Sequence, residues 1–218
     1  MKTIRKCISI LLIAVFAVCM TGCLFAAKPA KMVVKAVRSY GCEQAADFDA
    51  VYKAAATKGD GIPCLVFYAS KDSEEATRLY RKYYKGSNTL SAAGMEDLLM
   101  AVVYEKVNGL NHEAGIHSFG FGSEDDAKTY FHNWVLFYTR NKKEFTEQGE
   151  KKDYSYLIKY SNSTKRCTVY GVYLEKKCVT LLEATFYYGD HEQNDFAEHF
   201  CDKMGYVSPM TIYEHKEA

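Results

Sequence analysis

Residues 154–188 read YSYLIKYSNSTKRCTVYGVYLEKKCVTLLEATFYY. Tyr, Val, Thr and Leu recur in three runs, Tyr154–Tyr160, Cys167–Leu174 and Cys178–Tyr188, separated by short polar stretches at Asn162-Ser163-Thr164-Lys165 and Glu175-Lys176. Aromatic and β-branched side chains suit a pleated surface, and turns this short join antiparallel neighbours, so the segment predicts a three-strand meander. Alternation along the first run puts Tyr154, Tyr156, Ile158 and Tyr160 on one face. Exposed, such a face could stack on sugars or grip an extended peptide, because each ring offers flat apolar area and a hydroxyl. Packed under helices, it would be ordinary core. Tyr154, Tyr156 and Tyr160 are therefore the candidate ligand-binding residues, within a chain that holds 18 tyrosines.

Working outward, apolar residues recur at helical spacing in four further segments. These are Phe48, Val51, Tyr52 and Ala55; Ala76, Leu79, Tyr80, Tyr83 and Tyr84; Met95, Leu98, Leu99, Val102 and Val103; and Ala127, Tyr130, Phe131, Trp134, Val135 and Tyr138. Phe196, Ala197, Phe200, Cys201 and Met204 predict a closing helix with Gly205 as its C-terminal stop. Ile62–Ala69 and Gly115–Phe121 read as strands. The expected fold is α+β, with helices packed on one face of a mainly antiparallel sheet. Ser73–Tyr80 can be laid over Glu124–Phe131, each with acidic residues just before an Ala, which leaves two related halves open.

Composition bounds the function. With 48% apolar and 25% charged residues the chain is not disordered. Only one stretch is long and apolar enough to enter a bilayer, which excludes a polytopic membrane protein. Twenty-eight basic against 27 acidic side chains lack the surplus a nucleic-acid binder would carry.

At the amino terminus Lys2, Arg5 and Lys6 precede an apolar run from Cys7 to Met20, closed by Thr21-Gly22-Cys23. Met20-Thr21-Gly22-Cys23 resembles the lipobox of bacterial lipoproteins, departing from it in Met20 where the family usually has Leu. The resemblance implies cleavage before Cys23, a diacylglycerol on its sulfur, and a chain held on the extracytoplasmic side of the cell membrane. The expected organisation is a signal peptide over 1–22, lipidated Cys23 and a tether over 23–40, and a globular region over 41–218 with a sub-boundary near 90. From Gly115 to Tyr206 the order of aromatic strand, acidic residues, aromatic helix, Tyr-rich strands and closing helix resembles the small lipoproteins of anaerobic Gram-positive bacteria. Those have no assigned activity, and the match is one of residue types, so no functional residue carries over.

Cys42, Cys64, Cys167, Cys178 and Cys201 remain beyond the lipobox, an odd number with no C-x-x-C spacing. With a turn at Glu175-Lys176, Cys178 would face Tyr173 and lie too far from Cys167 for a disulfide. Small buried hydrophobes are the expectation for most of them. His191, Asp195 and His199 form an i, i+4, i+8 ridge, and adjacent pairs could hold Zn²⁺ or Cu²⁺, though the outer two cannot share an ion. The competing reading is a solvated helix face, and no metal or other cofactor is expected. Gly120-Phe121-Gly122-Ser123 opens like a phosphate loop but lacks the Lys, and the acidic Glu124-Asp125-Asp126 makes Ser123 an N-cap instead. A Cys64–His117 nucleophile pair requires the fold to join them. The functional expectation is a non-catalytic module binding a small molecule, glycan or protein partner at the envelope. A cell-envelope hydrolase and a structural or inhibitory component are the alternatives.

Overall fold

The computed structural model describes residues 28–57, 64–84, 93–107, 110–140, 145–162, 166–187 and 195–212. The expected signal peptide, Cys23, His191 and the expected sub-boundary near 90 lie outside the described residues. In chain order the elements are α1 (Lys28–Ser39), β1 (Glu43–Gln44), α2 (Phe48–Thr57), β2 (Cys64–Ser70), α3 (Ser73–Tyr83), β3 (Met95–Val107), β4 (Leu110–Phe121), α4 (Glu124–Thr139), β5 (Phe145–Glu150), β6 (Ser155–Asn162), β7 (Arg166–Glu175), β8 (Cys178–Tyr187) and α5 (Asp195–Met204). The strands form one sheet in the order β1-β2-β3-β4-β8-β7-β6-β5. All neighbours are antiparallel except β1 and β2. The α+β class and the β6-β7-β8 meander are as the sequence predicts.

Helices cover both faces of the sheet, not one. Along β3, Leu99, Ala101 and Val103 pack with α1 and α5, while Leu98, Met100, Val102 and Tyr104 pack with α2, α3 and α4. The spacing of Met95, Leu98, Leu99, Val102 and Val103 predicts a helix here, and the structure has a strand. A central strand buried on both sides is apolar throughout, so Leu98–Tyr104 satisfies the helical and the alternating pattern at once. Its antiparallel register with β4, from Met95↔Phe121 to Val107↔Leu110, decides for strand.

A second correction concerns the expected tether. From Lys28 the chain is helical, and Val33, Ala36 and Val37 are buried against the sheet. Pro29 suits the first turn, and the helix ends in a Schellman motif. Gly41 has φ +105°, with Gly41 N–H donating to the Arg38 carbonyl at 3.0 Å and Cys42 N–H to Val37 at 3.1 Å. The expected stop at Gly205 closes α5 the same way, through Tyr206 N–H to the Cys201 carbonyl at 2.9 Å. α1 and α5 also touch each other, Tyr40 meeting Phe196 edge-on with ring centroids 4.9 Å apart.

The β7-β8 turn sits one residue later than expected. Lys176-Lys177 form it, so Cys178 pairs with Glu175 and Cys167 with Phe186, and the two cysteines remain far apart. Asp72 and Ser123 cap α3 and α4, accepting from the N–H groups of Glu75 and Asp126.

Phe200 is fully buried beneath α5. Phe200→Ala is expected to lower unfolding free energy by about 3–5 kcal/mol in urea titrations. A chain starting at residue 41, lacking α1, is expected to lose its cooperative melt, which a true tether would not cause.

Candidate functional site

On the α1 side, the sheet ends in a cleft of about 630 Å³. α1 forms one wall through Ala30, Lys31, Val34 and Arg38. The floor comes from four strands: Phe67 and Ala69 of β2, Asp97 and Leu99 of β3, Ser118 and Gly120 of β4, and Cys178 of β8. Antiparallel pairing brings these together, because Leu98 sits opposite Phe119 and Gly120 opposite Cys178. Basic groups lie round the rim: Lys31, Arg38, Lys71 and Lys177. The Arg38 guanidinium stands over the Phe67 ring at 5.4 Å, and Lys177 donates to the Gly122 carbonyl.

Two carboxylates share the cleft, Glu96 and Asp97. A Cβ added at Gly120 would lie 2.7 Å from Asp97 Oδ2, and one at Gly122 would lie 2.8 Å from Glu96 Oε1. The two glycines thus leave room for carboxylates, whose negative charge opposes a phosphate at that loop. Asp97 is half-buried, and burial raises its pKa above the ordinary carboxylate value, helped by Glu96 and opposed by Lys71.

Polar atoms line the deep end. Ser118 Oγ lies 3.2 Å from Cys178 Sγ and 3.3 Å from Thr180 Oγ1. Burial pushes the Cys178 thiol up to about 11, against the hydrogen bonds from Ser118 and Thr180. Such a thiol is neutral and unreactive at physiological pH. From Thr180 the network reaches Tyr206, whose hydroxyl donates to Glu175 Oε2 at 3.3 Å.

The tyrosine face expected to be a binding platform is interior. Tyr156 and Tyr160 are 6% and 2% exposed, beneath α5 and residues 205–212. Tyr154 is half-buried and accepts a hydrogen bond from Val207 N–H at 2.9 Å, while Tyr173 donates to the Val207 carbonyl at 2.8 Å. Tyr206 stacks on Tyr173 with centroids 4.3 Å apart, sealing that face. Of the metal ridge, Asp195 is exposed at the start of α5. His199 packs against Tyr40 and lies 2.9 Å from Ser39 Oγ, which makes it a clasp between helices. Among the described residues no group of three His, Cys, Asp or Glu side chains could hold a metal ion.

The Cys64–His117 pair does not form. Cys64 lies opposite Tyr104 and His117 opposite Met100, so two strands and four residues separate their backbones by ~16 Å. His117 instead meets the Tyr84 hydroxyl on the other face, where burial lowers its pKa to about 4 and keeps it neutral. Cys42, Cys167, Cys178 and Cys201 are buried. The cleft is not legible in the sequence because the strands that form it are distant in the chain. The one local signal was the acidic pair Glu96-Asp97 breaking the apolar run that follows it.

The fold and cleft define a three-layer α+β domain with a lined concavity under its first helix. No protein-family model matches the chain, and no curated protein matches it. Among solved structures, the extracellular domain of PknH from Mycobacterium tuberculosis is similar, with TM-score 0.40 and 12% identity over 73% of this chain and 91% of that one. So distant a likeness supports no inference about what this chain binds.

Asp97 is raised in the folded state, so its ionisation opposes folding, and stability is lost as pH rises through its folded pKa. Asp97→Asn is therefore expected to raise the melting temperature at neutral pH, with the gain vanishing on acidification, in melts run across pH. In the native protein at pH 8, Cys178 and Cys201, the latter pushed up to about 12, are expected to resist iodoacetamide. Urea should expose both to alkylation, as read by peptide mass spectrometry.

Proposed function

We propose that the chain is an extracytoplasmic lipoprotein, anchored through Cys23, whose globular domain binds a ligand in the α1 cleft without catalysing a reaction. The cleft carries this reading. Its volume lies in the range of small-molecule sites, and it combines an apolar floor with a few converging polar groups. Phe67, Ala69 and Leu99 supply apolar surface, Ser118 and Asp97 supply hydrogen bonds, and Arg38 and Lys31 supply positive charge at the mouth. The buried Cys178 thiol is too basic to act as a nucleophile, and His117 projects from the opposite face of the sheet. The Met20-Thr21-Gly22-Cys23 sequence supports the anchor and the extracytoplasmic location.

One observation favours a second reading. Glu96 and Asp97 are adjacent carboxylates in the cleft, and Asp97 is raised by burial and by Glu96, as a proton-donating residue of a hydrolase would be.

Thermal melts of residues 24–218 against envelope glycans, muropeptides, short peptides and divalent metals separate these. A bound ligand at 100 times its dissociation constant adds ~2.7 kcal/mol of apparent stability. The expected outcome is a shift for one ligand class, abolished by Ser118→Leu, which fills the floor. A cooperative melt unmoved by every class would sink the cleft as a small-ligand site. Turnover of an envelope polymer lost in Asp97→Asn would establish the hydrolase.

A further inference from the structure

The charge of this chain is divided unevenly along its length. No acidic residue occurs before Glu43, while residues 43–218 hold 21 basic against 27 acidic side chains, a net of −6. The basic residues beyond the lipobox and before Glu43 are Lys28, Lys31, Lys35 and Arg38, all within α1. Val33, Ala36 and Val37 dock that helix on the sheet, and Lys31, Lys35 and Arg38, spaced i, i+4 and i+7, are exposed, the Arg38 guanidinium leaning over Phe67 at the cleft edge. Among the described residues none of the three forms an ion pair.

We propose that the exposed ridge of α1 is a docking surface for an anionic lipid bilayer, which sets the cleft mouth at the headgroups. Charge complementarity supports it, since an anionic surface attracts α1 and repels the acidic remainder of the domain. Chain length supports it too. Lys28 follows Cys23 by five residues, a link spanning at most ~18 Å. A lipid on Cys23 therefore keeps the ridge within reach of the surface, where lipid insertion and a basic patch add to each other in holding a protein on a bilayer. Because Lys31 and Arg38 belong to both the ridge and the cleft wall, a docked ridge turns the cleft toward the bilayer. The orientation rests on the Cys23 anchor proposed above, whereas the affinity of the ridge for anionic lipid does not.

The test uses residues 24–218, which contain every described element, in co-sedimentation at low salt. Vesicles are made of phosphatidylcholine alone or mixed with phosphatidylglycerol. Binding is expected only to the mixed vesicles and should weaken with added salt. Lys31→Gln with Lys35→Gln should reduce it about 25-fold, by loss of two charges near the surface. Lys151→Gln with Lys152→Gln, which removes two exposed lysines beside β5, should leave it unchanged, and both double variants should melt as the parent does. Equal loss in the two variants, equal binding to neutral vesicles, or no binding to mixed vesicles would overturn the proposal. So would release by inorganic phosphate at constant ionic strength, which would assign the charges to a free anion. Mass spectrometry of Cys23 in the full chain tests the anchor separately.

Discussion

β4 pairs with β8, and the rest of the molecule depends on that pairing. The chain lays down β2, β3 and β4 as one antiparallel set and β5 to β8 as another, and the two meet only where Glu113–Gly120 runs against Cys178–Thr185. Once these strands zip, the sheet has two continuous faces, and each core draws on both sets. Val33 and Val37 share a core with Tyr160 and Val169, and Val51 and Leu79 share one with Leu157 and Val172. Neither half of the sheet could bury its helices alone to the same degree. The floor of the cleft is a product of the same contact, since Ser118 and Cys178 come from the two sides of it.

How much of this could be read from the chain depended on locality. The meander of β6, β7 and β8 was legible because its turns are short and its residues favour strands. α4 and α5 were legible because their stripes are accompanied by caps, Ser123 in one and Gly205 in the other. β3 was misread because a strand covered on both faces carries no alternation. α1 was misread because four basic residues in twelve disguised the narrow stripe of Val33, Ala36 and Val37. Tyr156, Ile158 and Tyr160 share one face of β6, and Tyr154 just before the strand packs on the same side. What the sequence could not supply was the lid of α5 and residues 205–212, folded back from far along the chain. The cleft was invisible for the same reason, since its lining spans residues 30 to 178.

Chemically, the cleft combines groups that a core would not keep. A half-buried Asp97 with a raised pKa, beside Glu96 and under basic neighbours, opposes the stability of the fold. Beside it, a serine–cysteine–threonine cluster occupies a position where apolar side chains would pack, its members hydrogen-bonded to one another. Buried hydroxyls on both faces sit among rings, as with Tyr80, Phe119 and Tyr130 on one and Tyr173 and Tyr206 on the other, where the area buried outweighs the hydroxyl.

The sheet is open, with β1 at one edge and β5 at the other. β1 has only two residues, Glu43 and Gln44, and β5 carries Glu147 and Glu150 with Lys151 and Lys152 just beyond. Short or charged edges offer a neighbouring chain little backbone to pair with. A protein free in solution meets copies of itself by diffusion in three dimensions. One tethered by lipid shares a plane with its copies, sheets similarly inclined, at a far higher local density. Under such crowding an unguarded edge would add strands sideways from molecule to molecule. With the Cys23 anchor proposed above, the clipped β1 and the charged β5 would let many copies occupy the same patch of membrane and remain separate.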